Sequence, residues 1–258
     1  MPGPSLTKNG SDAPNKKFYL DFFLQGYYLF IMPPKNADGS TKEKLLKAAK
    51  KEFIKKGFSK ASLRTICKNA GVTTGALYFF FQDKEDLFDS IVQPVIEHIS
   101  EILKKHFSYE SSLIESESAT LKNGMAKESG SIAEEKQIGP KPDDIETART
   151  ILRYLYSRYD EFILAVEKSQ GTKWEHCLDS FADWNFKHLS STADLYCKKM
   201  GLKKIDPFIM RMVSQAQINC FVSIILNIPT CEEAEKYIPS AVNYLVGGWS
   251  TLFEGNQA

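Results

Sequence analysis

The sequence predicts an all-α protein with a small helical head and a larger helical body. Apolar residues recur at helical spacing over most of the chain after residue 40, and neither strand-like alternation nor an internal repeat is found. The chain has 258 residues, 43% of them apolar and 25% charged, which suffices for one large or two modest domains. This composition excludes collagen-like, wholly disordered and disulfide-scaffold proteins.

The first helix of the head is marked at both ends. Ser40 and Glu43 form a capping box, which predicts a helix that starts there and runs to about Lys56. Gly57 is the expected C′ residue. Leucine, alanine and phenylalanine form one apolar stripe on this helix, and lysines occupy the rest of its surface.

Three more helices are expected before residue 109. The second spans about 62–70, and the third follows a tight turn at 71–73 and ends near Phe80. Asp83 caps a long fourth helix that reaches about His106, and Pro94 is expected to kink it.

The remaining chain divides into a linker and a helical body. Residues 109–143 are rich in Ser, Glu, Lys and Gly, which predicts a flexible segment. Helical patterns resume at 144 and continue, with short breaks, to about 254. The expected domains are therefore an N-terminal extension (1–39), a head (40–88) and a body (89–258) that contains the flexible segment.

The N-terminal extension has an unusual apolar run, FYLDFFLQGYYLFI, at residues 18–31. It is shorter than the roughly 20 residues that a membrane helix needs. Met32 follows directly and opens a polar lead-in, so we expect translation to start at Met32 and residues 1–31 to be upstream read-in. The alternative is a segment that docks on a membrane surface or a partner.

Charge is distributed unevenly along the chain. Residues 41–81 carry a net charge of +8, residues 82–258 carry −8, and the formal total is +1. A compact basic block on an acidic body is typical of a protein that binds a polyanion through its head. The alternative is a solvated, lysine-rich helix surface.

The basic block contains a helix-turn-helix pattern. Gly71 lies where the turn must be tight, Val72 anchors the turn, and Leu77 packs the third helix onto the second. The residues that open the third helix are small enough to approach base edges: Thr73, Thr74, Gly75 and Ala76. Helix N-termini and lysines supply contacts to phosphates. The head is therefore predicted to bind double-stranded DNA.

Residues 45–88 resemble the DNA-binding head of the TetR/AcrR-like family of bacterial regulators. The motifs are SLRTI at 62–66, AGV at 70–72, GALY at 75–78 and KEDLF at 84–88. Residues 160–181 and 242–253 resemble bacterial members more loosely. The resemblance implies an all-helical homodimer with its third helix in the major groove, a small-molecule pocket in the body, and a dimer interface formed by the last two helices.

The same resemblance implies roles for individual residues of the head. It assigns Thr73, Thr74, Gly75 and Ala76 to base reading, Tyr78 and Lys84 to phosphate contacts, and Ser62 and Arg64 to the place where the second helix meets the backbone. Ser62 is alternatively a plain N-cap, and Tyr78 a core ring. The chain departs from the family at Phe79, Phe80 and Phe81, because the family commonly has a polar ring in this run.

The body offers candidates for dimerisation and ligand binding. Residues 208–228 carry one charge, Arg211, so a helix there must be buried on more than one side, and an intramolecular core helix is the alternative to a dimer interface. The expected interface residues are Ile209, Ala216, Ala241, Leu245, Gly248, Trp249 and Leu252. The expected pocket residues, each alternatively a core residue, are Tyr154, Phe162, Trp174, Phe181, Trp184, Phe208 and Met212.

No enzymatic, cofactor or metal site is expected from the sequence. His176 and His188 have no acidic or cysteine partner at catalytic or metal spacing, and five scattered cysteines indicate reduced thiols in the cytoplasm. We expect a ligand-responsive repressor that reads a palindromic operator as a homodimer, with double-stranded DNA and an unknown small-molecule effector as partners and no membrane. The alternative is a small-molecule-binding or catalytic helical protein whose head has lost its DNA function.

Overall fold

The computed structural model describes residues 39–122 and 142–253. Our expectations for the N-terminal extension and for residues 123–141 therefore lie outside the described residues. The described part contains ten helices and no strand, which confirms the all-α prediction. The helices are α1 (Gly39–Lys60), α2 (Leu63–Ala70), α3 (Thr74–Phe80), α4 (Lys84–Lys122), α5 (Pro142–Ser157), α6 (Tyr159–Glu167), α7 (Cys177–Met200), α8 (Pro207–Asn227), α9 (Cys231–Glu235) and α10 (Ile238–Thr251).

The core of the head is built on three phenylalanine rings. Phe53 and Phe58 of α1 both meet the edge of Phe88 on α4, at centroid distances of 5.0 and 5.3 Å. Leu45 of α1 and Leu77 of α3 are fully buried in the same cluster. Edge-to-face packing of large rings adds to the hydrophobic term, so α1, α3 and the start of α4 are held as one unit.

A buried carboxylate fastens α1 to the start of α2. Glu52 is 5% exposed, pairs with Lys56 at 2.7 Å and accepts a hydrogen bond from the Ser62 N–H at 3.4 Å. The hydrogen bond from Lys56 is the main reason why the pKa of Glu52 lies below its usual value. The carboxylate thus remains charged and satisfies a backbone donor at the N-terminus of α2.

Two glycines shape the turns of the head. At Gly57, with φ +73°, the helical geometry of α1 is interrupted, close to the predicted helix end. Gly71 ends α2 with φ +70° and donates its N–H to the carbonyls of Cys67 and Lys68. Left-handed backbone of this kind favours glycine because a Cβ would clash with the neighbouring carbonyl.

Helix α4 is longer than predicted. It continues through Pro94 and past His106 to Lys122, so the expectation of a flexible segment was wrong for residues 109–122. Near the start of this extension α4 packs on α7: the centroids of the Phe107 and His188 rings are 3.7 Å apart, and Glu110 Oε2 lies 2.8 Å from His188 Nε2. Such contacts stabilise a helix beyond what its local composition indicates.

The body surrounds α4 with α5 to α10. Val95 and Ile99 of α4 pack with Leu152, Phe162 and other residues of the body in a second core cluster. Near the end of the described chain the helical pattern is broken at Lys236, which separates α9 from α10. Helix α8 alone among the described helices is long and apolar enough to cross a membrane by length and composition, a test that core helices also pass.

We expect Gly71→Ala to lower the free energy of unfolding by about 1–2 kcal/mol, because alanine, which has a Cβ, would have to adopt the left-handed backbone conformation of Gly71. Open space surrounds the position, so this cost is backbone strain alone. Gly75→Ala is the matched control: its Cβ would lie 3.8 Å from Thr73 Oγ1, and the helix would gain propensity. Urea denaturation at a fixed protein concentration checks both, and equal effects of the two variants would contradict this account.

Candidate nucleic-acid interface and internal cavity

The N-terminal end of α3 is the most accessible part of the helix-turn-helix. Thr73, Thr74 and Gly75 are exposed and Ala76 is half-buried. Thr73 caps the helix, since its Oγ1 accepts the Ala76 N–H at 3.2 Å. Leu77, one residue later, is fully buried. The first turn of α3 therefore projects from the head while its next residue anchors it in the core.

Lys84 lies at the N-terminus of α2. Ser62 is the N-cap of α2 and accepts the Thr65 N–H at 3.4 Å, and Arg64 is exposed. The Lys84 ammonium donates to the carbonyls of Ser59 and Ala61 at 3.2 and 3.5 Å. A cation beside a helix N-terminus is an arrangement suited to a phosphate.

The aromatic run after Leu77 divides between surface and core. Tyr78 and Phe79 are 57% and 52% exposed, whereas Phe81 is 1% exposed and ends α3. Phe80 is half-buried against the head core. Tyr78 is thus a surface ring, as its expected phosphate contact requires, and Phe79 adds an apolar surface beside it.

Two lysines of the basic block make ion pairs within the chain. Lys50 pairs with Glu161 and Asp160 of α6 at 3.2 and 3.8 Å, and Lys56 pairs with Glu52 at 2.7 Å. Carboxylates neutralise these two cations and keep them from acting as independent phosphate contacts. Fewer cations are therefore available to phosphates than the ten Lys and Arg residues of the block suggest.

The end of α1, just after Gly57, is attached to the body by hydrogen bonds. The Phe58 N–H donates to the Lys168 carbonyl at 2.8 Å, and Ser59 Oγ donates to the Gln170 carbonyl at 2.7 Å. On α4, Asp89 accepts the indole N–H of Trp174 at 2.7 Å. The loop between α6 and α7 thus contacts the end of α1 and the first turns of α4.

The body encloses a cavity of about 300 Å³. Its walls come from α4, α5, α6, α7, α8 and α10 and are mainly aliphatic and aromatic. A volume of this size suits a small apolar molecule. Among the residues predicted to bind ligand, Phe162, Phe181 and Trp184 line the cavity.

Four other predicted pocket residues lie elsewhere. Tyr154 stacks against His98, and Trp174 is a 5% exposed core residue that contacts Asp89. Phe208 and Met212 are 73% and 53% exposed on α8. None of them lines the cavity, so their assignment as pocket residues was wrong, because helical spacing alone does not tell which side of a helix faces a space within the body.

One end of the cavity is polar, which the sequence analysis missed. His106 and Glu110 of α4, Asp144 and Thr147 of α5, and His188 of α7 all line it. The expectation that His188 lacks an acidic partner was wrong, since Glu110 lies 78 positions away in the chain and 2.8 Å away in space. His176 also has one, Asp179 at 3.5 Å, on the exposed surface.

The cavity wall also contains a cysteine. Burial raises the pKa of the Cys177 thiol to about 12, and its Sγ lies 3.4 Å from the Ala165 carbonyl oxygen. A thiol that stays protonated is a weak nucleophile and is slow to oxidise. Cys177 is thus a packing residue of the wall.

The residues expected at a dimer interface fall into two groups. Ala241 is buried within the chain, and Leu245 and Trp249 line the cavity. Ile209 and Leu252 are half-buried, while Ala216 and Gly248 are exposed. The first group faces inward in this structure, because α10 presents its apolar stripe to the body.

Comparisons with known proteins agree with the geometry of the head. Residues 45–91 match the family model "Bacterial regulatory proteins, tetR family". The HTH-type transcriptional repressor BepR of Brucella suis is 46% identical over 52 residues, which cover 20% of this chain and 25% of BepR. The HTH-type transcriptional regulator AcrR of Shigella flexneri is 42% identical over 62 residues, 24% of this chain and 29% of AcrR.

The chain thus matches about a quarter of the length of these relatives. A TetR-family member from Streptomyces coelicolor has a similar fold over 79% of this chain and 90% of its own, with 15% identity and a TM-score of 0.50. The relatives are named as transcriptional regulators.

We expect Trp174→Phe to lower the free energy of unfolding by about 1.5 kcal/mol, because it removes a hydrogen bond to a charged group. The control is Trp184→Phe, which changes a ring of the cavity wall and leaves the Asp89 contact in place. Only the control should alter the affinity for the apolar probe anilinonaphthalene sulfonate. Loss of probe binding in Trp174→Phe at unchanged stability would restore Trp174 as a pocket residue.

Proposed function

Because this chain is TetR/AcrR-like, with a head of the tetR family, we propose that it is a DNA-binding transcriptional regulator, specifically a ligand-responsive repressor that reads a palindromic operator as a homodimer. The observation that carries the proposal is the projecting first turn of α3, which the buried Leu77 anchors in the head core. The domain limits 1–39, 40–88 and 89–258 and the DNA-contact residues predicted from the sequence are part of the proposal, together with Phe162, Phe181 and Trp184 in the cavity.

The head has the parts that DNA recognition needs. Thr73, Thr74, Gly75 and Ala76 would meet base edges in the major groove, where small side chains favour contacts with thymine methyl groups and the reading of DNA shape. Tyr78, Arg64, Ser62 and Lys84 would hold the flanking phosphates. Relatives named as a repressor and as regulators support this reading.

The outer surface of α8 supports assembly with a second copy. Its inner side is fixed to α7, since Ser214 Oγ donates to the Ala182 carbonyl at 2.6 Å and Asn185 bonds to Gln217. On the other side Phe208, Met212 and Ala216 recur at a spacing of four and are exposed. Helix α10 contacts α8, and its Tyr244 is 77% exposed.

An apolar surface on two neighbouring helices indicates a protein partner. A two-fold dimer through α8 and α10 would bury it and place two recognition helices for two half-sites about 34–36 Å apart. In this arrangement Ala216 and Gly248 belong to the interface, together with Phe208, Met212 and Tyr244.

The cavity supports a response to a ligand. Ile96, Ile99 and Leu103 of its wall lie on α4, the helix that also carries Phe88 of the head core. A ligand that prefers one position of α4 would shift the spacing of the two heads, and only such a preference can change operator affinity.

The alternative is a small-molecule-binding protein whose head does not bind DNA. Its support is Phe79, an exposed apolar ring where the family commonly offers a hydrogen-bond donor. Binding to a DNA fragment from upstream of its own gene, measured without ligand at low salt, separates the two functions.

We expect Lys84→Ala to weaken binding to that fragment uniformly across sequences and to reduce the slope of log K against log salt by about one. Lys50→Ala is the matched control, since its ammonium is already paired with Glu161. It should leave the slope unchanged. Fluorescence anisotropy at several salt concentrations measures both, and a loss confined to one operator position would contradict the phosphate role of Lys84.

We expect Thr74→Ala to change the base preference of the operator, because Thr74 lies on the exposed turn of α3. A binding-site selection with the wild type and the variant measures this preference. Arg64→Ala, whose side chain is assigned to the backbone, should lower affinity and keep the preference. An unchanged preference for Thr74→Ala would remove it from the base-reading residues.

We expect Met212→Glu to convert a dimer into a monomer, because it places a charge in the centre of the apolar surface of α8. Leu195→Glu is the control, on an exposed position of α7. Light scattering at micromolar concentration measures the mass of both. A wild-type monomer, or a dimer that survives Met212→Glu, would contradict dimerisation through α8.

A further inference from the structure

The polar end of the cavity brings three side chains with metal-binding atoms together. His106 and Glu110 lie one helical turn apart on α4, and Asp144 projects from the first turn of α5. His106 Nε2 is 3.9 Å from Glu110 Oε1 and 3.6 Å from Asp144 Oδ1. The three ligand atoms all lie within 4.8 Å of one another, and all three residues are half-buried.

A hydrogen bond on the other side of the imidazole determines what Nε2 presents to these carboxylates. His106 Nδ1 lies 3.0 Å from Asp143 Oδ2, and the Thr147 hydroxyl is 3.3 Å from the same nitrogen. A carboxylate accepts only, so Nδ1 donates to Asp143, which leaves Nε2 as the nitrogen that a cation would bind. Nε2 faces two carboxylate oxygens, an arrangement that a cation between them would stabilise.

We propose that His106, Glu110 and Asp144 bind a divalent transition-metal ion, with Zn²⁺ as the best match, at the polar end of the cavity. One imidazole nitrogen and two carboxylate oxygens suit zinc, whereas Mg²⁺ prefers oxygen ligands alone. Ligands about 2.1 Å from a tetrahedral ion are about 3.4 Å apart, so the three ligand atoms, all within 4.8 Å of one another, must move closer together to complete the site.

The neighbouring groups fit the outer shell of such a site. Asp143 orients the imidazole as carboxylates do in metal centres, and His188 Nε2 lies 2.8 Å from Glu110 Oε2 and holds the second oxygen of that carboxylate. The ion would link α4 to α5. Its remaining coordination position would face the cavity, where it would accept an oxygen donor such as water or a carboxylate.

Zinc binding to the metal-free full-length chain, measured by calorimetry, tests the proposal. We expect one Zn²⁺ per chain and an affinity at least about 100-fold weaker in Glu110→Gln and in Asp144→Asn, each of which removes a ligand charge at constant shape. Asp143→Asn should weaken binding about 10–100-fold, as outer-shell changes do. His176→Gln is the control, because His176 faces Asp179 on the exposed surface.

A second measurement needs no variant. The chain has four histidines, so ¹⁵N-histidine NMR resolves them. Zn²⁺ should move the Nε2 resonance of His106 and leave that of His176 in place. Absence of Zn²⁺ binding at micromolar concentration, binding that both ligand variants retain, or an unmoved His106 resonance would overturn the proposal. These measurements use no DNA, so their failure is distinguishable from failure of the proposed regulator function.

Discussion

The structure depends on the packing of one helix, α4, in both halves of the chain. Its first turns bury Leu87 and Phe88 in the head core, and its next turns bury Val95 and Ile99 in the body core. Backbone hydrogen bonds hold these side chains at fixed positions along one rod. Close-packed cores do not deform continuously, so a shift of α4 in the body must be taken up by the head. A ligand in the cavity that displaced α4 would therefore act on the head through one continuous helix.

Contacts beside α4 also join the head to the body. The pair between Lys50 and Glu161 and the indole contact of Trp174 with Asp89 both join the head to the α6–α7 region. Surface pairs of this kind contribute little free energy each, whereas the buried indole contact is more costly to break. Of these two contacts, the Trp174 hydrogen bond therefore holds the head to the body more strongly.

The head could be predicted from sequence because its signals are local. Gly71, the Thr73 cap and the buried Leu77 follow one another within seven residues, and each does in the structure what its residue type indicates. The cavity could not be predicted in the same way. Trp174 contacts a residue 85 positions away, and His188 one 78 positions away. The second contact joins α7 to the part of α4 beyond His106, where composition alone pointed to a flexible segment near residue 109.

The cations of the head differ in whether they are paired with carboxylates within the chain. Ten cations in residues 41–81 suggest a uniform attraction for phosphate, yet Lys50 and Lys56 are paired with carboxylates. Lys84, outside that block, lies against two neutral carbonyls at the N-terminus of α2. The positions of the cations therefore matter more than their number. Under the proposed function, Lys84, Arg64, Tyr78, Ser62 and the helix N-termini would contact the phosphates. Because Phe79 cannot donate a hydrogen bond, a larger share of the affinity would come from charge, which would make it more sensitive to salt than that of a head with a further neutral donor.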